Sequence, residues 1–222
     1  MKMKRCKWVT MSFGILMMTT FTVSAQKLEK MNWFNEPAQW SIPNAKTFKM
    51  YVTPKTDYWR ITHYGFTVDD APFYYAVYGG EFEAKVKIKG DYKTNFDQMG
   101  LMIRVNEEQW IKTGIEFVSG NQNISTVVTH GTSDWSVIKL ENAPRFIWIK
   151  AVRRLDAVEV FYSYDDKEYT MMRTCYLQDN IPVQVGLMAA SPDGTGFEAV
   201  FEDFSVKPLP DKRRSEWAER QH

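Results

Sequence analysis

The chain has 222 residues, of which 44% are hydrophobic and 15% aromatic, so it is long enough for one substantial core and too short to require two. Its 28 basic and 27 acidic residues give a formal net charge of +1, which offers no strong positive field for nucleic acid or acidic lipid. We therefore expect one folded domain whose partner is not a nucleic acid.

The first 25 residues have the pattern of a secretory signal peptide. Basic residues near the start precede the apolar run VTMSFGILMMTTFTV, and VSA before Gln26 offers small side chains for a cleavage site. The apolar run is shorter than the ~20 residues of a spanning helix, which disfavours the alternative of an uncleaved membrane anchor. The pattern predicts a periplasmic or secreted protein without stable membrane insertion, with residues 26–208 as its domain and residues 209–222 as a tail.

Removal of the predicted signal peptide leaves 24 basic against 27 acidic residues and a single cysteine, Cys175. A lone thiol cannot form an internal disulfide, so the fold must be held by its hydrophobic core. His63 and His130 are far apart in the sequence and lack the spacing of metal ligands. No metal site is therefore predicted from them.

From Gln26 onward the chain has the pattern of many short strands separated by turn signals. GEFEAKVKIKG alternates apolar with charged residues, which is typical of a strand with one buried face. Further segments of this kind follow at short intervals, namely RFIWIKAVRR, AVEVFYSYDD, IPVQVGLMAA and GFEAVFEDFSV. This spacing predicts an all-β fold, an antiparallel β-sandwich of the jelly-roll type.

The segment DQMGLMIRVNEEQWIKTGIEF, residues 97–117, predicts a β-hairpin. We expect a three-residue loop, Asn106–Glu108, with Val105 opposite Gln109. One face then pairs mostly apolar residues: Met99 with Ile115, Leu101 with Thr113, and Ile103 with Ile111. The other face pairs Gln98 with Glu116, Gly100 with Gly114, Met102 with Lys112, and Arg104 with Trp110. A shift by one residue would mix the two sets, so the hydrophobic pattern supports this register.

The second face of this hairpin is polar and aromatic, and three interpretations stay open. It is a groove that faces a ligand, a polar layer covered by a loop, or a plain solvent-exposed face. The paired Gly100 and Gly114 give up strand propensity, which is explained if a loop or a ligand comes close to the sheet. A tryptophan beside cationic and carboxamide groups suits stacking and hydrogen bonding with a sugar ring. We favour the groove.

Motifs along nearly the whole chain after Gln26 carry a resemblance: FNEPAQW, TDYWRITHYGF, FDQMGLMIR, WIKTGIEF, STVVT, SDWS, GLMAASP and GFEAVFEDF. Together they resemble a large bacterial and fungal family, long catalogued as a domain of unknown function and named after regulation of enolase protein 1. The resemblance implies a concanavalin A-like lectin/glucanase sandwich, a fold that lectins, glycoside hydrolases and carbohydrate-binding appendages share. It implies little about chemistry, because fold does not determine function. Loops of lectin-like sandwiches commonly hold calcium, so a structural calcium ion stays open, and no other cofactor is expected.

We predict an exported, lectin-like domain that binds carbohydrate on the polar and aromatic face of the hairpin. Trp110 and Trp135 would stack on sugar rings, the arginines would attract an acidic substituent, and the amide, ammonium and carboxylate groups would bind hydroxyls. The predicted ligand-binding residues are Trp59, Arg60, Gln98, Arg104, Trp110, Lys112, Glu116, Asp134 and Trp135.

A glycoside hydrolase is the alternative function. Such an enzyme needs two carboxyl groups about 5 to 9.5 Å apart. Glu116 lies on the polar face, and Asp134 or Asp57 could reach it from a loop, although both also fit turn-capping or pairing with Arg60. The compact E-x-D-x-x-E run of the best-known glucanases with this fold is absent. A structural or protein-interaction module without a small ligand is the third alternative.

Overall fold

The computed structural model describes residues 28–210, and within this range it contains a 3-10 turn, Leu28–Lys30, followed by sixteen β-strands. The predicted signal peptide and residues 211–222 of the predicted tail lie outside the described residues, and the domain bounds 26–208 stay a prediction. The strands are β1 Asn32–Phe34, β2 Gln39–Asn44, β3 Thr47–Tyr51, β4 Tyr58–Arg60, β5 Thr67–Asp69, β6 Phe73–Tyr78, β7 Phe82–Gly90, β8 Gln98–Asn106, β9 Gln109–Val118, β10 Asn121–His130, β11 Thr132–Lys139, β12 Ile147–Arg154, β13 Ala157–Ser163, β14 Thr170–Tyr176, β15 Val183–Ala190 and β16 Glu198–Pro208.

Fourteen of these strands form two seven-stranded antiparallel sheets. The first sheet has the order β1-β6-β15-β8-β9-β10-β11, and the second has the order β14-β13-β12-β7-β16-β3-β2. Strands β4 and β5 pair with each other as a separate ribbon. The segments predicted as strands from their alternation are found as β7, β12, β13, β15 and β16. The predicted concanavalin A-like antiparallel sandwich is confirmed.

The inner faces of the two sheets form the main hydrophobic core. Along β7, Phe82, Ala84, Val86 and Ile88 alternate with charged residues and are at most 1% exposed. They share one buried cluster with Leu101 of β8 in the opposite sheet. Full burial of a Val, Ile, Leu or Phe side chain contributes about 1.5 to 3 kcal/mol, so this alternation decides which face lies inside.

The hairpin of β8 and β9 has the predicted register but a different turn. Gln98 lies opposite Glu116, and the pairs continue as predicted to Arg104 opposite Trp110. The predicted three-residue loop is wrong, because Asn106 rather than Val105 lies opposite Gln109 and the register shifts between Arg104 and Asn106. The Asn106 side chain accepts a hydrogen bond from the Glu108 backbone N–H at 2.9 Å, a local bond that favours this tighter turn.

Gly100 and Gly114 are explained by the close approach of β8 and β9. A Cβ atom on Gly100 would lie 1.9 Å from the carbonyl oxygen of Thr113, and one on Gly114 would lie 2.0 Å from that of Met99. Both contacts are with the backbone of the neighbouring strand, which cannot move aside without breaking the pairing. The glycine pair therefore does not indicate a ligand above the sheet.

A segment that we call the covering ribbon, residues 53–72, crosses the outer face of the first sheet. It contains β4 and β5, and its Tyr58, Trp59 and Ala71 form a second buried cluster with side chains of the sheet such as Met102 and Trp110. The covering ribbon therefore turns part of the predicted polar face into a buried layer, which is the second of the three interpretations of that face.

Candidate functional site

A pocket of about 220 Å³ opens beside the covering ribbon on the outer face of the first sheet. Its polar residues come from the covering ribbon, from β8 and β9, and from the loop after β15. Its aromatic residues come from the covering ribbon, from the loop that precedes β8, and from β11. The lining residues are Asp57, Trp59, Tyr64, Phe66, Phe96, Gln98, Lys112, Glu116, Trp135, Pro192 and Asp193. The pocket thus lies where the polar layer of β8 and β9 emerges from under the ribbon.

The predicted binding residues divide into two groups. Those that line the pocket are Trp59, Gln98, Lys112, Glu116 and Trp135. Those that lie elsewhere are Arg60, Arg104, Trp110 and Asp134. The structure therefore brings together part of the predicted set, and the physical reason for each exclusion is a contact with another part of the protein.

Trp110 and Arg104 are buried under the covering ribbon. Trp110 is 1% exposed, and its indole N–H donates to the Glu107 carbonyl oxygen at 3.3 Å. The structure contradicts the stacking role predicted for Trp110, because no ring face is open to a sugar. The Arg104 guanidinium donates to both carboxylate oxygens of Asp69 at 2.9 and 2.7 Å. Arg104 therefore fastens the ribbon to the sheet and cannot attract an acidic ligand.

Arg60 and Asp134 are also engaged away from the pocket. Arg60 donates to the Gly131 carbonyl oxygen at 3.0 Å and to the Glu108 carboxylate at 2.9 Å. Asp134 lies 3.1 Å from the Arg173 guanidinium, and its side chain is 72% exposed. The structure contradicts the ligand-steering role of Arg60 and the catalytic role of Asp134. Neither Asp57 nor Asp134 forms the alternative ion pair with Arg60, because Arg60 is paired with Glu108.

Glu116 is the most deeply buried carboxylate of the pocket, with 6% of the residue exposed. Its Oε2 accepts hydrogen bonds from Ser125 Oγ at 2.7 Å and from Trp135 Nε1 at 2.8 Å. Its Oε1 receives no hydrogen bond from residues 28–210. Burial raises the pKa of the Glu116 carboxyl above its usual range, although the nearby Lys112 ammonium and the two donors favour the charged form.

Asp57 contributes the second carboxylate and is fixed through one of its oxygens. Asp57 Oδ1 accepts from the Tyr58 backbone N–H at 2.7 Å, from Lys112 Nζ at 3.1 Å and from Gln98 Nε2 at 3.2 Å. Lys112 Nζ also donates to the Tyr58 carbonyl oxygen at 2.7 Å. Asp57 Oδ2 receives no hydrogen bond from the described part of the chain. Each carboxylate thus keeps one oxygen available as an acceptor for a ligand.

Several residues of the pocket were not predicted from the sequence. Tyr64 and Phe66 belong to the turn between β4 and β5 and are 49% and 45% exposed. The segment THYGF carries a signal for these two residues, because it places aromatic residues beside a glycine in a turn. Exposed aromatic side chains are unfavourable unless they contact a ligand or another part of the protein. Phe96, Pro192 and Asp193 carry no such signal, because their segments are typical of ordinary turns.

The described residues contain neither a recognisable metal site nor a candidate membrane span. Within residues 28–210, no group of three or more His, Cys, Asp or Glu side chains is placed to hold a metal ion. No helix in the same range is long and apolar enough to cross a membrane.

Comparisons with known proteins identify relatives in sequence and in structure. A Saccharomyces cerevisiae protein named Regulation of enolase protein 1 is 31% identical over 180 residues, which cover 81% of this chain and 90% of that protein. A crystal structure of a functionally unknown protein from Saccharomyces cerevisiae has a TM-score of 0.79 and 31% identity and covers 83% of this chain and 99% of that one. A xylan β-1,4-xylosidase from Bacillus halodurans has a TM-score of 0.64 at 13% identity, over 82% of this chain and 38% of the enzyme, and shows the fold alone.

The predicted periplasmic or secreted localisation is wrong in the light of the yeast relative. That protein is named for the regulation of enolase, and enolase is a cytosolic enzyme. The signal-like pattern of residues 1–25 therefore does not establish export.

The resemblance noted from the motifs is confirmed at the level of the family. A family model described as Protein of unknown function (DUF1349) matches residues 33–209, which is most of the chain. The same region carries the 31% identity to the yeast relative. The chain therefore belongs to the DUF1349 family.

Proposed function

We propose that the pocket beside the covering ribbon binds a carbohydrate. The observation that carries the proposal is the combination of aromatic rings with fixed carboxylates, each of which has one oxygen without a donor among residues 28–210. Rings such as Trp135 and Phe66 offer faces for the C–H surface of a sugar, and Asp57 Oδ2 and Glu116 Oε1 are acceptors for its hydroxyl groups. Gln98 adds an amide to the same wall.

The size of the pocket restricts the ligand. Its volume of about 220 Å³ lies below the roughly 300 to 1,000 Å³ of pockets that enclose drug-sized molecules. The pocket therefore suits a single sugar ring, either free or at the end of a chain. The xylosidase supports the proposal only to the extent that the same fold occurs in a protein named for a carbohydrate substrate.

Calorimetric titration of the protein with a panel of monosaccharides and short oligosaccharides tests this proposal. Phe66→Ala removes an exposed ring that lines the pocket, so it should weaken binding about tenfold without loss of stability. Phe146→Ala is the matched control, because Phe146 is a 38% exposed phenylalanine that does not line the pocket. Equal effects of the two substitutions on sugar affinity, or no sugar binding at all, would reject the proposal.

Glycoside hydrolysis is a second candidate function, favoured by the presence of Glu116 and Asp57 in one pocket. A buried carboxyl with a raised pKa suits a general acid, and the Asp57 carboxylate, 3.1 Å from Lys112 Nζ, supplies the second carboxyl group that such an enzyme needs. A reducing-sugar assay on each bound oligosaccharide tests it. Under this candidate, Glu116→Gln lowers turnover by about a hundredfold or more and leaves binding nearly unchanged. A bound glycan that is never cleaved would reject catalysis and leave binding intact.

A further inference from the structure

The charge of the pocket lining limits the ligand further. Three carboxylates line the pocket, those of Asp57, Glu116 and Asp193, against the single ammonium group of Lys112. Lys112 is bound to Asp57 Oδ1 at 3.1 Å and to the Tyr58 carbonyl oxygen at 2.7 Å, so its charge is already matched by one carboxylate. The carboxyl groups of Glu116 and Asp193 have no equivalent cation in the lining.

The cations nearest to this region do not restore the balance. Arg104 is held by Asp69, and Arg60 is held by Glu108. Lys55 donates to the backbone carbonyl of Asp193 at 2.7 Å, so it lies at the rim of the pocket and is not one of its lining residues. A ligand inside the pocket therefore meets more carboxyl groups than ammonium groups in the lining.

Glu116 is an independent sign that the pocket offers a ligand a hydrogen-bond acceptor. The residue is 6% exposed, and both hydrogen bonds to it from residues 28–210 end on Oε2. A carboxylate this deeply buried is stabilised when a charged or hydrogen-bonding group satisfies its second oxygen. The pocket is the space in which such a group can reach Oε1.

Aromatic rings form much of the pocket lining. The rings of Trp59 and Tyr64 meet edge to face with centroids 5.6 Å apart, and those of Phe96 and Trp135 meet in the same way at 6.4 Å. Phe66 stacks on Tyr64 at 5.7 Å. An ammonium group is attracted to the electron-rich faces of aromatic rings such as these.

We infer that the pocket takes a ligand that carries a positively charged ammonium group and rejects a ligand that carries a carboxylate. Two sources share this chemistry: an amino sugar, in which case the inference rests on the proposed carbohydrate function, and a choline-like quaternary amine. An acidic sugar has only acceptors at its carboxylate, and it would meet Glu116 and Asp193 with no cation in the lining apart from Lys112, which Asp57 already holds. This reverses the role predicted for the arginines, which was to attract an acidic substituent.

Titration calorimetry with four probes tests the inference: D-glucosamine, D-glucose, D-glucuronate and choline, each at pH 7 and low salt. We expect glucosamine to bind about tenfold or more tightly than glucose, and glucuronate not to bind. Binding of choline but not of glucosamine would support the ammonium group and reject the carbohydrate. Glucose or glucuronate binding as tightly as glucosamine would overturn the inference and leave carbohydrate binding intact. No binding of glucosamine or choline would overturn it as well.

Charge variants separate electrostatics from shape. Asp193 is exposed at the rim, so Asp193→Asn should weaken binding of the ammonium probe about threefold at low salt and leave glucose binding unchanged. Asp156→Asn removes the same charge from an exposed position in the turn between β12 and β13 and should have no effect. Glu116→Gln should weaken the ammonium probe at least tenfold. An unchanged affinity in both pocket variants would overturn the inference.

Discussion

Glu116 accepts a hydrogen bond from the indole N–H of Trp135 at 2.8 Å, although the two residues lie on β9 and β11 with β10 between them. Ser125 of β10 donates to the same carboxylate oxygen at 2.7 Å and receives a bond from Trp135 at 3.1 Å. Three neighbouring strands thus fix one carboxylate. The orientation of Glu116 is therefore set by the sheet before any ligand arrives.

The first prediction concerns the pH dependence of stability. Because burial raises the pKa of Glu116 in the folded protein, ionisation of Glu116 opposes folding. The protonated Glu116 carboxyl therefore stabilises the fold relative to the ionised one. This contribution is complete below about pH 4.5, the ordinary pKa of the carboxyl, and is lost as the pH rises through the higher pKa of the folded protein. Glu116→Gln keeps an acceptor for Ser125 and Trp135 and should be at least as stable as the parent at pH 7. Urea unfolding at pH 4.5 and 7 should show that the free energy of unfolding of the parent, relative to that of the variant, is larger at the lower pH. The opposite trend would contradict a raised pKa for Glu116.

The second prediction concerns the attachment of the covering ribbon. Asp69→Ala leaves the Arg104 guanidinium unpaired, with only 6% of its side chain exposed, so it should lower the free energy of unfolding by about 3 to 5 kcal/mol. Glu108→Ala is the control, because the Glu108 side chain in its ion pair with Arg60 is 59% exposed and its loss should cost about 1 kcal/mol or less. Urea unfolding of both variants gives the comparison. Equal losses would mean that the Arg104 pair does not fasten the ribbon.

The register of β8 and β9 could be predicted because alternation alone separates the two faces. Ile103 and Ile111 face the core together, and a slip by one residue would place Lys112 opposite Ile103 on the core face. The turn could not be predicted in the same way, because the hydrogen bond that the Asn106 side chain accepts from the Glu108 N–H favours it and leaves no periodic pattern in the sequence. Local hydrogen bonds therefore limited the prediction of the turn but not of the sheet.

The covering ribbon could not be predicted, because its attachments join residues far apart in the chain. Asp69 reaches Arg104 and Asp57 reaches Lys112 without any regular spacing, and the alternation of β8 and β9 only marks the face as polar. A polar face looks the same in sequence whether a ligand or another segment covers it. The sequence therefore predicts that Trp110 contacts a ligand, whereas the structure packs it against Tyr58 under the ribbon.

The third prediction concerns the cysteine. Burial raises the pKa of the Cys175 thiol to about 11, which leaves roughly a hundredfold less thiolate at neutral pH than an ordinary cysteine. In Cys6→Ser, where Cys175 is the remaining thiol, a disulfide reagent should react slowly with the native protein and rapidly after unfolding in urea. Fast reaction of the native variant would place the thiol at the surface. Reductant should leave the melting temperature of the same variant unchanged, because Cys175 forms no disulfide.

The last prediction concerns the glycine pair. A methyl group at position 100 would lie 1.9 Å from the Thr113 carbonyl oxygen. Gly100→Ala should therefore force apart β8 and β9, which themselves carry residues of the pocket. The expected loss is about 3 kcal/mol or more, at the upper end of the range for overpacking, because the obstacle is backbone. Gly79→Ala is the control, since a Cβ there has nothing within 4 Å and should change stability by about 0.5 kcal/mol or less. Urea unfolding measures both. A tolerated Gly100→Ala would mean that the glycines serve a space above the sheet, as a ligand-facing groove requires, and not the pairing of the two strands.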